Sequence, residues 1–477
     1  MTTGGTDLPP TGVATTSPQL PDRSRAPAVA IACAAGCLVL AAVSWVVWPS
    51  SIGYDPTTWA VWGRELAHGR LAIGPGDAVF KPWPVAVDAV LAAVHAPVLQ
   101  SWAVLVRAGT AGALLAAFLL GRRAVGTAAG VCAALALAAV PRFLVWYTAA
   151  TTVEVLEAAA LLAAVACIAR GRPAGTVLWL ALLSGLRPEG WPLLLLAAAW
   201  AVRRRPRAAL WVTPLVLVAI GGWFVAEYVG SGRWTTGVAR AGTPSLGGAL
   251  LTPVPGWTVV REAYASLPPS WWLAALVTLG GSLVLVTRRR RAGVVGVPLV
   301  LGAVGVLWLA VVAVSTQLGL SAGEPRYLVG TTVCGAVLAA LGAGVVVRTV
   351  AGRLGGRPVA VPLATVLATA LVAYGGVRAL EQGRSEAPEL ARRYGEQTDL
   401  ARVLATADGV RDCAGVATAP DQVPAVAWTL GRPLAAVGLW PAAGSAWIVP
   451  STVPVPDDLR GDLRYRDAHW WLAGACG

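Results

Sequence analysis

The sequence predicts an all-α polytopic membrane protein of about eleven transmembrane helices, followed by a small α/β extracytoplasmic carboxyl-terminal domain. Three observations carry this expectation. Of the 477 residues, 56% are hydrophobic and only 13% charged, about half the charged fraction of a water-soluble domain. The basic residues are arginines with one exception, Lys81, and most lie in short clusters that each follow an apolar run. Only beyond residue 380 does the composition turn to ordinary soluble values. These features exclude a soluble enzyme, a disordered tail protein and a coiled coil. The net charge of +13 is distributed as a topology signal, so a nucleic-acid partner is not expected.

Residues 1–27 are polar, rich in Thr, Pro and Gly, and read as a disordered cytoplasmic tail. The transmembrane region is expected over 28–379. Its first apolar run, 28–48, is too long and too tryptophan-flanked for a cleaved signal peptide. Further spans are expected at 98–120, 124–141, 148–169, 173–186, 190–202, 208–229, 271–287, 293–316, 327–347 and 358–379. An odd number of spans puts the amino terminus inside, in the cytoplasm, and the carboxyl terminus outside. The clusters at Arg122 and Arg123, Arg170 and Arg172, Arg203 to Arg205, Arg288 to Arg291, and Arg348 with Arg353 and Arg357 then all fall on the cytoplasmic side. Gly126 and Gly130 offer close helix contact. Two outer loops follow from the map, 49–97 and 230–270.

The tail, 380–477, is long enough for a small domain. There 386–406 reads as a helix, and Gly415–Ala419 and Ala446–Val449 as strands. Five of the seven cysteines lie inside predicted spans; Cys413 and Cys476 lie in the tail, where an extracytoplasmic location permits a disulfide between them. His68, His95 and His469 show no metal-ligand spacing, and no metal site is expected of them.

Charges at membrane depth cost on the order of 3 kcal/mol each and need a reason. On this map Asp55, Lys81, Glu154, Arg187, Glu189, Glu324 and Arg326 all face one side, and that convergence is the main functional signal. Asp55 lies in Gly53-Tyr54-Asp55-Pro56, where it reads either as a helix N-cap or as a general base. Trp59, Trp62 and Leu66 follow at helical spacing, as in an amphipathic helix along the outer interface. Lys81 in Phe80-Lys81-Pro82 is either a point charge for a phosphate or a snorkelling interfacial lysine. Arg187 and Glu189, in Leu186-Arg187-Pro188-Glu189-Gly190, join two apolar segments too short to cross the hydrocarbon fully, so the turn is expected within the protein, as a mutual ion pair or as a cavity lining. Glu154 and Glu157 share one helical face and would bind a cation or orient a cationic side chain. Glu324-Pro325-Arg326-Tyr327 precedes the tenth span; its bland reading is an interfacial anchor.

Taken in order, Gly53-Tyr54-Asp55, the helix through Trp62 and Gly69, Lys81-Pro82, Leu186-Arg187-Pro188-Glu189-Gly190 and Pro325-Arg326-Tyr327 resemble the GT-C superfamily of integral-membrane glycosyltransferases. The Lys-Pro element is similar to that of protein mannosyltransferase and aminoarabinose-transferase relatives. The resemblance spans residues 30–380. It implies an inverting transfer of a sugar from a polyprenyl-phosphate donor to a hydroxyl of a cell-envelope glycan, lipid or protein acceptor at the outer face. Asp55 would be the catalytic base; Lys81, Arg187 and Arg326 would bind the donor phosphate; Glu154, Glu189, Glu324 and Tyr327 would support them. The first loop lacks an Asp-Asp pair, so no cofactor is carried over, and a divalent cation is left open. The choice of Ala, Arg, Gly and Val over Lys points to a GC-rich genome such as that of an actinobacterium. A transporter or lipid flippase is the alternative, disfavoured by the one-sided acids and the appended outer domain.

Overall fold

In the computed structural model, the structure describes residues 26–48, 51–74, 78–140, 142–245, 248–289, 292–353, 360–406, 410, 413, 415–439, 445–454 and 463–473. The amino-terminal tail expected at 1–27 lies outside these residues except for its last two. Among the described residues, each of the eleven apolar runs contains a helix. By length and composition, four described helices can cross a membrane, Val98–Ala124, Pro206–Ser231, Gly296–Gln317 and Pro325–Gly344. The pair Pro255–Ala265 and Pro269–Val284, bent by 94°, would make a fifth. Several other runs form shorter apolar helices, among them Ile31–Val47, Thr127–Ala138 and Pro173–Leu186.

Proline sets many of the starts. Pro82, Pro173, Pro206, Pro255 and Pro325 each occupy the first turn of a helical segment. There the missing N–H has no intrahelical partner to lose, and the fixed φ suits a helix. Where helices cross closely, glycine makes room: a Cβ on Gly121 would lie 2.5 Å from the Ala129 carbonyl oxygen, and one on Gly130 would lie 2.6 Å from that of Phe118. Gly126 serves as the turn between these helices, with φ at 132°.

The first loop departs from its expected arrangement. It forms two helices, Tyr54–Ala67 and Pro82–Ala93. The first does not lie along an open interface: Trp59, Ala60, Val61 and Trp62 are all buried. The Trp59 and Trp62 indoles donate to the carbonyls of Val79 and Ala72, and Trp59 packs edge-on against Trp102. Trp62 and Trp59 therefore fold the rest of the loop back over the helix instead of anchoring it in lipid headgroups.

The hydropathy pattern separates a span ending at 379 from a helix beginning at 386, but both belong to one helix, Ala360–Thr406. At 47 residues and 1.5 Å per residue it is about 70 Å long. Its far end packs on a five-stranded sheet: β1 (Gly415–Thr418), β2 (Val437–Gly438), β3 (Ser445–Pro450), β4 (Leu463–Arg466) and β5 (Trp470–Ala473). The order is β2-β1-β3-β5-β4. Strands β2, β1 and β3 are parallel, with the helix Val423–Leu430 crossing between β1 and β2; β5 and β4 run antiparallel to close the edge. Every residue of the central β3 is buried, as expected for a strand covered on both faces. Cys413 is disulfide-bonded, whereas Cys33, Cys37, Cys132, Cys167 and Cys334 are free thiols; its expected partner, Cys476, lies outside the described residues.

The tail helix also touches the membrane region. Glu386 pairs with Arg142 at 3.4 Å, and the Arg393 guanidinium lies 5.4 Å from the Trp146 ring centroid. Arg142 has φ of 66° and opens a short π-helical turn, Phe143–Tyr147. This turn and the first loop form the seat on which the tail domain rests.

Candidate functional site

Asp55 is the second residue of its helix. The cap position is Gly53, whose carbonyl accepts from the Thr57 amide at 3.1 Å and the Thr57 hydroxyl at 2.9 Å. The N-cap reading of Asp55 is thus replaced. With glycine capping, the carboxylate is free to turn outward, and its Oδ2 accepts from Arg326 Nη1 at 2.9 Å. Arg326 Nε bonds Glu324 Oε2 at 2.5 Å. Pro325 makes this possible: it starts the turn Pro325–Leu328 and leaves Glu324 extended, so the two side chains meet on one face. Glu324 and Arg326 are therefore parts of an ion network, not an interfacial anchor.

Behind it lies a second network. Arg187 ends the helix Pro173–Leu186 in extended backbone, and Pro188–Gly190 makes a single 3₁₀ turn. Its Nε and Nη2 bond Glu157 Oε1 and Glu154 Oε1, both at 2.6 Å. The two glutamates stand in the first turn of Glu154–Ala169, one helical turn apart, so a single guanidinium spans them. The mutual ion pair expected between Arg187 and Glu189 is replaced. Arg187 turns away from Glu189 to the two glutamates, and Glu189 stays buried beside it, with Oε2 lacking a hydrogen-bond partner among the described residues.

Lys81 is buried and does not snorkel. It caps the helix Pro82–Ala93, its Nζ stands 5.1 Å from the Trp59 ring centroid, and Glu157 Oε1 lies 3.9 Å away. No hydrogen bond holds the ammonium among the described residues. Burial, then the neighbouring Arg187, pulls its pKa down to about 8.

Tyr327 joins the two networks. The Arg187 guanidinium carbon lies 4.5 Å from its ring centroid and that of Arg326 lies 5.6 Å from it, so one aromatic face region carries both cations. The residues that the sequence scatters from 55 to 327 thus meet at one place: Asp55 and Glu324 on Arg326, Tyr327 between the arginines, and Arg187 with Glu154, Glu157 and Lys81 behind. Among the described residues, no group of three or more His, Cys, Asp or Glu is placed to hold a metal ion.

The architecture has parallels among solved structures. ArnT from Cupriavidus metallidurans, bound to undecaprenyl phosphate, superposes with a TM-score of 0.56 at 15% identity, over 94% of this chain and 98% of that one. Its apo form gives 0.55 at the same identity and coverage. The apo oligosaccharyltransferase of Archaeoglobus fulgidus gives 0.51 at 16% identity, over 86% of this chain and 65% of that one. The chain shares the fold of these proteins. No protein-family model and no curated protein sequence matches it. At these identities the similarity lies in the path of the backbone, over 94% of this chain for ArnT.

Some contacts of this site had no signal in the sequence. Trp59 is one, legible only as a position on an apolar face. Arg64 and Gln397 are others: each reaches the first-loop helix or leaves it through a contact more than 300 residues away in sequence. The only clue was that both belong to regions expected on the same side of the membrane.

Proposed function

We propose that the chain is an integral-membrane glycosyltransferase that moves a sugar, with inversion, from a polyprenyl-phosphate donor to a hydroxyl of a cell-envelope glycan, lipid or protein. The observation that carries this reading is the pairing of a partly exposed carboxylate, Asp55, with the partly exposed Arg326, in front of the buried cations Lys81 and Arg187. It occurs in a fold shared with a protein whose structure holds undecaprenyl phosphate. Asp55 accepts the proton of the acceptor hydroxyl as that oxygen attacks the anomeric carbon. The bond from that carbon to the phosphate oxygen breaks, and its electron pair leaves on the lipid phosphate. Lys81 and Arg326 hold the charge that grows there. Lys81 suits this role because, among the described residues, no hydrogen bond commits its ammonium and its ion-pair contact with Glu157 is long, at 3.9 Å. Arg326 suits it because a phosphate can take over the contact it makes with Asp55, releasing the base as the donor arrives. Arg187 already spends Nε and Nη2 on the glutamates, so it offers the phosphate only its remaining edge and mainly holds Tyr327 and the carboxylates in place.

The orientation we propose has the amino terminus in the cytoplasm and the tail domain outside. The arginine clusters between spans support it, and so do the contacts of the tail with the first loop and with Arg142 and Trp146, which put these three on one side. Asp55→Asn keeps shape and removes the base. The full chain in lipid nanodiscs, given undecaprenyl-phosphate-linked sugars, is expected to lose transfer by on the order of 10²–10⁴-fold while still binding undecaprenyl phosphate. Retained turnover in that variant would remove the assignment.

A further inference from the structure

The helix that carries Asp55 is gripped at both ends by the tail domain. At its start, the Gln397 side chain makes a two-way amide clasp with the backbone of Ile52: the Ile52 N–H donates to Gln397 Oε1 at 2.8 Å, and Gln397 Nε2 donates to the Ile52 carbonyl. Ile52 is buried, so these two groups need partners inside the protein. The next residue, Gly53, donates its N–H to the Ala150 carbonyl at 3.2 Å and caps the helix. Asp55 follows two residues later. Gln397 is itself fixed. The preceding carbonyl, that of Glu396, accepts from the Trp470 indole in β5 at 2.7 Å, and two residues on, Asp399 bonds His469 Nδ1 at 2.7 Å.

At the other end of the same helix, Arg64 donates to the carbonyls of Trp428 and Arg432 at 3.2 and 2.7 Å, and its guanidinium lies 5.2 Å from the Trp428 ring centroid. Those carbonyls stand at and just beyond the end of the helix Val423–Leu430, where the helix dipole favours a cation. We infer that the tail domain is a positioning element for catalysis: Gln397 holds the segment 52–53 that aims Asp55, and Arg64 holds the far end of the same helix. This rests on Asp55 being the base. Among the described residues Gln397 hydrogen-bonds Ile52 and none of the donor-phosphate cations, so it acts on turnover and not on donor binding.

Gln397→Ala leaves a buried N–H and a buried carbonyl without partners, and the segment must shift toward water to satisfy them. Small displacements of a reacting group carry large rate costs. In the full chain in nanodiscs, with a panel of undecaprenyl-phosphate-linked hexoses and pentofuranoses, kcat is expected to fall about tenfold or more. The donor KM should stay within about twofold. Gln397→Glu retains the acceptor for the Ile52 N–H and should fall between the two. Hydrogen exchange is the second readout: in Gln397→Ala the amides of 51–57 should exchange faster, with those of Glu154–Ala169 unchanged. A wild-type kcat in Gln397→Ala, or faster exchange throughout the tail domain, would overturn the inference. Asp55→Asn run in parallel separates the cases. If Asp55→Asn is inactive while Gln397→Ala is normal, only the positioning role falls; if Asp55→Asn is active, the reading of the site falls first.

Discussion

The two ion networks use the same chemistry and differ in exposure. Around Arg187 the side chains of the arginine, Glu154 and Glu157 are 5%, 1% and 1% exposed. Around Arg326, the arginine and Asp55 are 37% and 26% exposed. A buried pair is locked, because breaking it strands a charge in a medium that cannot solvate it. A partly exposed pair exchanges readily, because water and other ions compete for each partner. The inner network is therefore suited to holding geometry, and the outer one to giving up its contact when a ligand arrives.

Three perturbations sharpen that contrast. The largest effect belongs to the inner network. Arg187→Met strands Glu154 and Glu157 against each other, and the thermal unfolding of the protein in nanodiscs should report a loss of about 3–5 kcal/mol. A loss under about 1 kcal/mol would mean that the inner cluster is as exchangeable as the outer one. Next comes pH. Lys81 carries charge below its pKa of about 8, and an anionic phosphate beside it favours the charged form and raises that pKa. Undecaprenyl-phosphate affinity should therefore be full below pH 8 and fall above it, by up to tenfold per unit until the bound-state pKa is reached. Lys81→Met should weaken binding and flatten that profile; an unchanged pH slope in Lys81→Met would move the dependence elsewhere. The smallest effect belongs to the outer pair. Asp55→Asn should cost less than about 1 kcal/mol of stability, so its loss of transfer would not be a loss of fold.

The same contrast marks what the sequence made legible. The helix start at Pro173 was readable because proline there carries its own conformational preference, and the strands around Val416 and Ile448 because both fall in short apolar runs; the helix starting at Pro82 was not read. The convergence of charges followed from counting spans, which assigns a side to each loop. Pairing did not follow, since Arg187 could meet Glu154 and Glu157 instead of Glu189 only through the packing of two helices. The cap was misread at Asp55 because Asp-Pro matches a helix start in isolation, while the glycine two residues earlier starts it in the fold. The grip of Gln397 on Ile52 has no local signature at all: a glutamine on a polar helix looks solvent-facing until the sheet behind it is in place.

The most direct test of the central claim is a cryo-EM structure of the full chain in nanodiscs with undecaprenyl phosphate. The account requires the phosphate within hydrogen-bond distance of Lys81 and Arg326, with the Arg326–Asp55 contact loosened and the Asp55 carboxylate facing the phosphate across a gap of one sugar ring. A phosphate bound away from both cations, or an acyl chain filling the space between Asp55 and Lys81, would contradict it.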